Sequence, residues 1–498
     1  MTRTTQLAIL LSILAVAARL ILVDQPYIDN WSWRQSDVAA IARNFYENGF
    51  HFAYPQIDWA GDQPGYVGTE FPILPLVAAV CYKFLGVHEW IGRIQAAILF
   101  VVSLPFFFLL VREVFDPLAA TWAIFFYSFA PLNLFAGREF MPDVPSLGLA
   151  IVGLYFFFRW MDNAKPAFFA ASACTISLSI LTKFSSAIIG VPLLYLIVAA
   201  PNAFGVAPKG NSSHDHRPPL QLLALFAAIT LLPSAIWYWH AHQIAEMFYP
   251  HHFFGAGGIQ IENLAWYWKI ARLTTTSSLT LPLSVLAMIG LFVAPRGKYA
   301  RLFHWWLAGM VVFIVIVGYG NRHQWYQLPL VAIAAALAGV ACAVVAAKLS
   351  DRRAKIASSI LLATLFGFLA FHYAQALYRP VAAQLRDAGM ELKRTTPPNS
   401  LIVAADHGDP TIFYCAERKG WHFVETDGIY NGDPIDSRQA IDDLEELRAR
   451  GASHLVFTSN TSWWLDYYTQ FTAHLETAAK LVKRTPEFAI YQLEPEPH

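Results

Sequence analysis

Eleven apolar stretches constrain this chain more than any other feature. Each has about the length at which a helix crosses a hydrocarbon core of about 30 Å, roughly 17 to 25 residues. Because lipid cannot satisfy backbone polar groups, such stretches predict α-helices. We therefore predict a polytopic α-helical membrane protein with about eleven transmembrane helices, in a range of about 11 to 13. The stretches are residues 6–23, 94–112, 117–135, 144–160, 167–183, 186–201, 219–239, 279–294, 302–319, 325–347 and 356–376.

The charged residues divide the chain into two parts. Only 14% of all residues are charged, against roughly 25% in a typical soluble protein. Residues 377–498 nevertheless hold 12 of the 35 Lys and Arg and 18 of the 35 Asp and Glu. We predict a transmembrane domain over residues 1–376, with a first outer loop at 24–92 and juxtamembrane helices, followed by a soluble domain over 377–498.

The soluble tail has the pattern of a small α/β domain. Strands are predicted at 400–405, 454–458 and 488–493, and helices at 437–450 and 463–483. The overall composition excludes a disordered chain, a disulfide scaffold and a nucleic-acid binder that depends on a basic field.

Basic residues in the short loops predict the topology. Their clusters are Arg159/Lys165, Lys209/Arg217, Arg296/Lys298/Arg301 and Lys348/Arg352/Arg353/Lys355. Placing all four in the cytoplasm requires a cytoplasmic N-terminus and an extracytoplasmic tail. A further apolar segment at 71–87 would break this parity, so we interpret it as re-entrant or interfacial. Arg19 interrupts the first stretch, which we expect to be a span and not a cleaved signal peptide.

Two acids of the first outer loop are candidate functional residues. Asp37 lies in the first turn of a predicted amphipathic helix on the membrane surface, and Glu70 precedes a proline-interrupted apolar segment. Either acid is explained by a structural role at a helix start, or by a carboxylate that faces a cavity.

Other polar groups stand close to predicted helix ends on the same outer side. Asp143 lies between two prolines in a turn that also holds Arg138, and Lys183 stands between two apolar runs. Lys183 either extends to the headgroup level or binds a phosphate there.

Two later segments complete the set. The doublet His251-His252 follows a loop rich in His and Trp, and Arg322 and Tyr326 open the tenth span. Interfacial anchoring is the alternative for each. Their shared side predicts one outer cavity, in which cations neutralise a lipid-linked phosphate and a carboxylate takes a proton from a hydroxyl.

These residues resemble membrane glycosyltransferases of the GT-C class, in the family of bacterial protein O-mannosyltransferases and the lipid A aminoarabinose transferase. The resemblance covers most of residues 1–376. It rests on the order and sidedness of six degenerate motifs: Asp37, Glu70-Phe-Pro72, Met-Pro-Asp143-Val-Pro, Leu-Thr-Lys183, an outer-loop His, and Arg322-His-Gln-Trp-Tyr326-Gln-Leu-Pro329.

The resemblance implies an inverting transfer of a hexose or pentose from a polyprenyl-phosphate donor to a hydroxyl of a lipid, glycan or protein acceptor. Asp37 would be the general base and Asp143 would support the acidic side of the site. Lys183, Arg322 and Tyr326, with Arg138 as a further cation, would bind the donor phosphate. No nucleotide or nucleic acid is implied.

The resemblance also implies a place for one divalent cation, Mg, Mn or Zn. Glu70 stands where some relatives hold a metal, with His251 or His252 as its partner. The sequence departs from the family pattern here, because Glu70-Phe-Pro-Ile replaces Glu-Lys-Pro-Pro and the His doublet lacks the usual following basic residue. The metal requirement therefore stays open.

Two other functions remain as alternatives. One is an enzyme similar to O-antigen ligases that uses a diphosphate-linked donor, and the other is a lipid or sugar-lipid transporter without catalysis. A transporter would be expected to have polar residues throughout the membrane depth and paired halves, whereas these residues cluster on one side.

Overall fold

The computed structural model describes residues 3–199, 218–254, 258–293, 299–426 and 428–494. The basic residues Lys209, Arg217, Arg296 and Lys298, on which part of the topology prediction depends, lie outside these ranges. The described chain divides into two compact units. The helical unit comprises the described residues of Met1–Val23, Arg93–Trp237 and Gly255–Leu377, and the mixed unit comprises those of Asp24–Gly92, Tyr238–Phe254 and Tyr378–His498.

Helices dominate the described chain. The α-helices are α1 (Arg3–Leu20), α2 (Ser32–Asn48), α3 (Ile73–Leu85), α4 (Glu89–Val114), α5 (Pro117–Phe129), α6 (Pro131–Ala136), α7 (Asp143–Asn163), α8 (Pro166–Thr182), α9 (Gly190–Ala199), α10 (Leu220–Met247), α11 (Leu264–Leu273), α12 (Leu281–Phe292), α13 (Leu302–Ile316), α14 (Leu328–Lys348), α15 (Arg352–Leu377), α16 (Ala383–Thr395), α17 (Thr411–Ala416), α18 (Ser437–Ala449), α19 (Trp464–Tyr467) and α20 (Thr469–Ala478). Short 3₁₀ turns cover Phe184–Ile189, Tyr319–Arg322 and Gln324–Gln327, and a π turn covers Thr274–Ser278.

An apolar helix occurs at every stretch that the sequence predicts to span the membrane, which confirms the helical membrane class. Within the described residues, six helices are long and apolar enough to cross a bilayer, or seven if the pair Leu264–Ser278 and Leu281–Phe292, bent by 110°, counts as one span. Five further apolar helices are shorter. The count of eleven spans therefore stays a prediction.

Local chemistry explains several of these boundaries. Asp116 precedes Pro117 and accepts hydrogen bonds from the backbone of Leu118 at 2.7 Å and Ala119 at 2.9 Å, which caps α5. Within the helical unit α5 packs on α14, and α7 packs on α8. Helix α7 also contacts α14, so α7, α8 and α14 belong to one packed group.

The segment predicted as re-entrant or interfacial forms α3, a helix of 13 residues. At 1.5 Å per residue it is about 20 Å long, which is shorter than the hydrocarbon core. Phe84 is 78% exposed while Ala78 is fully buried, so one apolar face remains uncovered. The interfacial or re-entrant placement of this helix stays a prediction.

The tail contains a five-stranded sheet, which confirms the predicted α/β class. Its strands are β1 (Leu401–Ala405), β2 (Gly420–His422), β5 (Ala452–Thr458), β6 (Ala479–Arg484) and β7 (Phe488–Leu493), in the order β2-β1-β5-β7-β6. Strand β1 is parallel to β2 and β5, whereas β7 is antiparallel to β5 and β6. A second, two-stranded sheet pairs β3 (Glu425–Thr426) with β4 (Ile429–Tyr430).

Two boundaries differ from the sequence prediction. The helix predicted over 463–483 ends at Ala478, because residues 479–484 form a strand that pairs with β7 as an antiparallel hairpin. The first outer loop, predicted as part of the transmembrane domain, belongs to the same compact unit as the tail. The reason is polar contact: Ser32 donates to Asp409 at 2.6 Å, and Arg43 donates to the carbonyl oxygen of Tyr414 at 2.6 Å.

Candidate functional site

Helix α2 carries Asp37 in the mixed unit, and it is almost wholly buried from Ser32 to Phe45. The prediction of a helix lying on a membrane surface is therefore wrong for this segment. Polar side chains cover the helix from the tail: besides the contact of Ser32 with Asp409, the hydroxyls of Ser36 and Thr411 lie 2.9 Å apart. The helix is held in place by the domain that follows the last membrane helix in sequence.

Asp37 is the most strongly perturbed acid of this helix. The helix begins at Ser32 and has no acid in its first turn, so Asp37 does not cap it. Its side chain is 2% exposed, and the indole N–H of Trp59 donates a hydrogen bond of 2.9 Å to its Oδ1. Burial raises the pKa of Asp37 to about 7, although the Trp59 hydrogen bond and the charge of Arg34 oppose this. A carboxyl group with this pKa exchanges a proton at neutral pH.

Glu70 forms a buried ion pair with Arg34. The guanidinium of Arg34 lies 2.6 Å from Oε2 of Glu70, and both residues are about 5% exposed or less. The hydroxyl of Thr69 donates to the same oxygen at 3.2 Å. The Arg34 side chain also stacks over the Phe254 ring at 4.6 Å. Glu70 is therefore balanced by a cation of the protein itself.

The two adjacent histidines lie in different surroundings. His252 has its ring 5.3 Å from Trp59 and 4.3 Å from Phe254, and burial with the charge of Arg34 lowers its pKa to about 4. Its carbonyl oxygen accepts a hydrogen bond of 3.0 Å from Gly68, which holds it beside the loop that carries Glu70. His251 is exposed and interacts with the carbonyl oxygen of Ala245 at 3.1 Å.

The predicted metal ligands do not form a complete metal site. Among the described residues, no group of three or more His, Cys, Asp and Glu has an arrangement that holds a metal ion. His252 is neutral and faces the Glu70 loop, but Arg34 and Thr69 engage the Glu70 carboxylate and His251 lies elsewhere. The Arg34 guanidinium therefore already neutralises Glu70 through Oε2.

The mixed unit also contains an Asp–His pair that the sequence reasoning missed. Nδ1 of His422 lies 2.8 and 2.9 Å from the two carboxylate oxygens of Asp406. Burial alone would lower the pKa of His422, but the Asp406 carboxylate outweighs it and raises that pKa. The His422 ring is 5.1 Å from Trp59, so Trp59 contacts His422 while it donates to Asp37.

A signal for this pair exists in the sequence. Asp406 directly follows β1, which was predicted, and His422 ends β2, which was not. Adjacent parallel strands bring their carboxyl ends to one edge of a sheet, and Ala404 lies opposite His422 in the register. Recognition of β2 as a strand would have placed the two side chains together.

Three of the predicted residues meet in the helical unit. Lys183 follows the last residue of α8, and Asp143 begins α7. The Lys183 ammonium lies 3.5 Å from Oδ1 of Asp143 and 5.1 Å from the centre of the Tyr326 ring. Lys183 and Asp143 are 5% and 8% exposed, so the pair is buried among apolar helices.

The two predicted arginines have other surroundings. Arg138 is fully buried and lies 3.2 Å from Glu139, which also pairs with Arg93 at 2.8 Å. It donates in addition to the carbonyl oxygen of Leu22 at 2.6 Å. Arg322 is exposed and stacks over Tyr319 at 3.9 Å. Their phosphate-binding roles stay predictions.

Comparisons with known proteins give the chain its relatives. Residues 62–237 match the model of the family described as dolichyl-phosphate-mannose-protein mannosyltransferase. The whole chain is similar to the whole of the solved ArnT from Cupriavidus metallidurans, with 16% identity and a TM-score of 0.68 in the apo state. The chain is also similar to ArnT bound to undecaprenyl phosphate, with 15% sequence identity and a TM-score of 0.67, again over 100% of both chains.

An archaeal enzyme shares the same fold. The oligosaccharyltransferase of Archaeoglobus fulgidus in complex with Zn and sulfate is 16% identical with a TM-score of 0.61, over 91% of this chain and 68% of that one. No curated protein matches the sequence.

Proposed function

We propose that this mannosyltransferase-like chain with the GT-C fold transfers a sugar, with inversion, from a polyprenyl-phosphate donor to a hydroxyl group of a lipid, glycan or protein acceptor. The observation that carries the proposal is Asp37: a buried carboxyl group with a pKa of about 7, oriented by the indole of Trp59. General-base catalysis is most effective when the pKa of the base lies near the working pH.

The proposed step is one displacement at the anomeric carbon. The acceptor oxygen forms a bond to this carbon while the bond from the carbon to the phosphate oxygen breaks. The electron pair of the broken bond leaves with the prenyl phosphate, and the proton of the acceptor hydroxyl passes to the Asp37 carboxylate. Asp37 therefore acts in its ionised form, which the Trp59 hydrogen bond stabilises.

Charge stabilisation of the leaving phosphate is assigned to Lys183. Its ammonium group lies in an apolar surrounding, where electrostatic attraction to an anion is stronger than in water. Asp143 holds this ammonium at 3.5 Å, and Tyr326 faces it at 5.1 Å. The exposed Arg322 is proposed as a second cation for the donor, and Arg138 as a buried support of the same unit.

The donor class has support from a structural neighbour. ArnT, whose whole chain is similar in fold to this one, has been solved with bound undecaprenyl phosphate. We extend that ligand class to this protein and place it in a bacterial plasma membrane with the N-terminus in the cytoplasm and the tail outside. The archaeal neighbour was solved with Zn, but because Arg34 occupies Glu70 here, no step is assigned to a metal.

The test is transfer by purified protein in lipid nanodiscs. Asp37→Asn is expected to abolish sugar transfer from a monophosphate donor while insertion and folding persist. The matched control is Asp24→Asn, an exposed acid of the same unit. Near-normal turnover by the Asp37→Asn variant would refute the role of Asp37 as the general base.

The donor type decides between the remaining alternatives. Monophosphate- and diphosphate-linked donors are supplied side by side, and turnover of the diphosphate donor alone would identify an enzyme similar to O-antigen ligases. Lipid movement without any transfer would identify a transporter. Mass spectrometry of lipids and envelope glycans from a deletion strain is expected to show which acceptor loses its sugar.

A further inference from the structure

A large open cavity lies in the mixed unit beside α18, and neither Asp37 nor Trp59 lines it. Its volume is about 1160 Å³, and residues from the first outer loop, the His doublet segment and the tail line it. Small-molecule sites typically measure roughly 300–1,000 Å³, so a single monosaccharide would not fill it. We call it the acidic cavity; the residues that matter are Tyr249, Glu425, Gln439, Asp443, Glu446 and Arg450.

The lining carries an excess of negative charge. Five carboxylates and two guanidinium groups line the cavity. Arg438 lies 3.6 Å from Asp442, whereas Arg450 lies 2.9 Å from Asp62 and 3.9 Å from Glu425. The lining acids, which include Asp436, Asp443 and Glu446, therefore outnumber the lining cations by three.

Glu425 supplies an independent indication of a ligand. It is 7% exposed, and its Oε1 accepts a hydrogen bond from the Tyr249 hydroxyl. Its Oε2 is buried and has no hydrogen-bond partner among the described residues. A buried, unsatisfied carboxylate oxygen is costly. A donor that enters the cavity would remove this cost.

The surroundings of Asp443 also disfavour the ionised form of a carboxyl group. Its Oδ2 accepts the backbone N–H of Glu425 at 3.3 Å. Burial, followed by the neighbouring charges of Glu425 and Glu446, raises the pKa of Asp443 to about 7. A cation between these three carboxylates would favour their ionised forms.

The chemistry of the lining selects the kind of cation. No three of the described His, Cys, Asp and Glu residues are spaced as metal ligands, so the charge is spread over a wider area than a metal ion occupies. Apart from Leu447 and the Tyr249 ring, the lining is made of polar or charged side chains. This lining suits a hydrophilic organic cation that brings several hydrogen-bond donors.

From this geometry we propose that the acidic cavity binds an amine-bearing oligosaccharide, with its ammonium group between Glu425, Asp443 and Glu446. Sugar hydroxyls donate to the remaining carboxylate oxygens and to the Gln439 amide oxygen. Binding at this site is measured directly and needs no sugar donor, so its failure is distinguishable from a failure of sugar transfer.

The test is isothermal titration calorimetry with the purified full chain at low salt. The probe is a glucosamine tetrasaccharide, and the N-acetylglucosamine tetrasaccharide is its uncharged match. The glucosamine form is expected to bind and the acetylated form is not. Equal affinity for both tetrasaccharides, or no binding of either, would overturn the proposal. Spermidine binding as tightly as the glucosamine tetrasaccharide would overturn the assignment to a saccharide.

Variants locate the site. Asp443→Asn is expected to weaken binding by about tenfold or more. Glu446→Lys places an ammonium group in the cavity at an exposed position, where the fold tolerates it, and is expected to abolish binding. The control is Glu476→Gln, an exposed acid of α20 outside the cavity. Unchanged affinity in Glu446→Lys, or a loss in Glu476→Gln, would refute this location.

Discussion

The indole N–H of Trp59 donates a hydrogen bond of 2.9 Å to the carboxylate of Asp37, and both side chains are buried. The bond joins a loop residue to a helix residue and sets both the direction and the acidity of the carboxyl group. Because it stabilises the ionised form, it acts against the burial that raises the pKa of Asp37 to about 7.

Trp59→Phe is expected to raise the pKa of Asp37, because the ring remains while the hydrogen bond is lost. A hydrogen bond to a charged group contributes about 1.5–3 kcal/mol, which corresponds to about one to two pH units. The acidic limb of the pH profile of kcat should therefore move to higher pH. Turnover should be lower than in the parent protein at pH 7 and should recover at alkaline pH. Trp90→Phe is the control, and an unmoved limb in Trp59→Phe would contradict the relationship.

Asp37→Asn is expected to stabilise the fold at alkaline pH. A carboxyl group whose folded pKa is raised loses its contribution as the pH rises from its unfolded value of 3.8 through about 7. The cost of the ionised form therefore accumulates between pH 3.8 and about 7 and is fully present above pH 7, where it is at most about 4 kcal/mol. Asn keeps an acceptor for Trp59 and removes this cost. Thermal unfolding should show a higher Tm than the parent protein at pH 8 and a similar Tm at pH 4; equal differences at both pH values would contradict the expected ionisation.

His422→Gln is expected to move the acidic limb of the pH profile of kcat to higher pH, by a smaller amount than Trp59→Phe does. His422, held by Asp406, contributes positive charge that lowers the pKa of Asp37, as Arg34 does, whereas Asp409 raises it. Asp406→Asn should act similarly, since it removes the partner that favours the charged imidazole. The control His407→Gln changes an exposed histidine near Asp433. A fall in kcat without any pH shift would show that His422 has only a structural role.

Lys183→Met is expected to lower kcat/KM for the donor by about 10²- to 10³-fold, the usual cost of removing one group that stabilises transition-state charge. Lys183→Arg should retain part of the activity, because the charge persists while the geometry changes. Steady-state kinetics with varied donor measures this. Lys165→Met, an exposed lysine before α8, should be unaffected. Similar donor kinetics in Lys183→Met and the parent would exclude Lys183 from donor binding.

Chelation is expected to leave transfer intact. Arg34 already balances Glu70 at 2.6 Å, so the protein does not require a divalent ion to neutralise this acid. Treatment with EDTA followed by elemental analysis checks this, with the His251→Ala/His252→Ala double variant as a comparison. Stoichiometric metal whose removal abolishes activity would contradict the ion-pair interpretation.

Sequence patterns predicted the regular elements well where one periodicity was unambiguous. The apolar runs and the strands at 401–405 and 488–493 were found because burial on one or both faces leaves a clear pattern. The helix predicted through 479–483 was wrong, because short charged segments such as Lys480-Leu-Val-Lys483 fit either a helix or a strand. Only the antiparallel pairing with β7 decides between them.

Some candidate residues were also found from sequence, and their partners were not. Charges close to apolar runs are rare because they are costly in lipid, so Asp143 and Lys183 were visible as candidates. Their pairing depends on how α7 packs on α8, which adjacent residues do not specify.

By itself, the sequence determined that this chain has the apolar helices of a membrane protein, that its tail has an α/β pattern, and which acids and cations are unusual. Apolar length and charge composition are local properties, so they can be read directly. Tertiary structure alone decided that Trp59 and His422 surround Asp37, that Arg34 neutralises Glu70, and that the first outer loop belongs with the tail. Those relationships join residues far apart in the chain, and burial, which sets their acidity, exists only after the chain has folded.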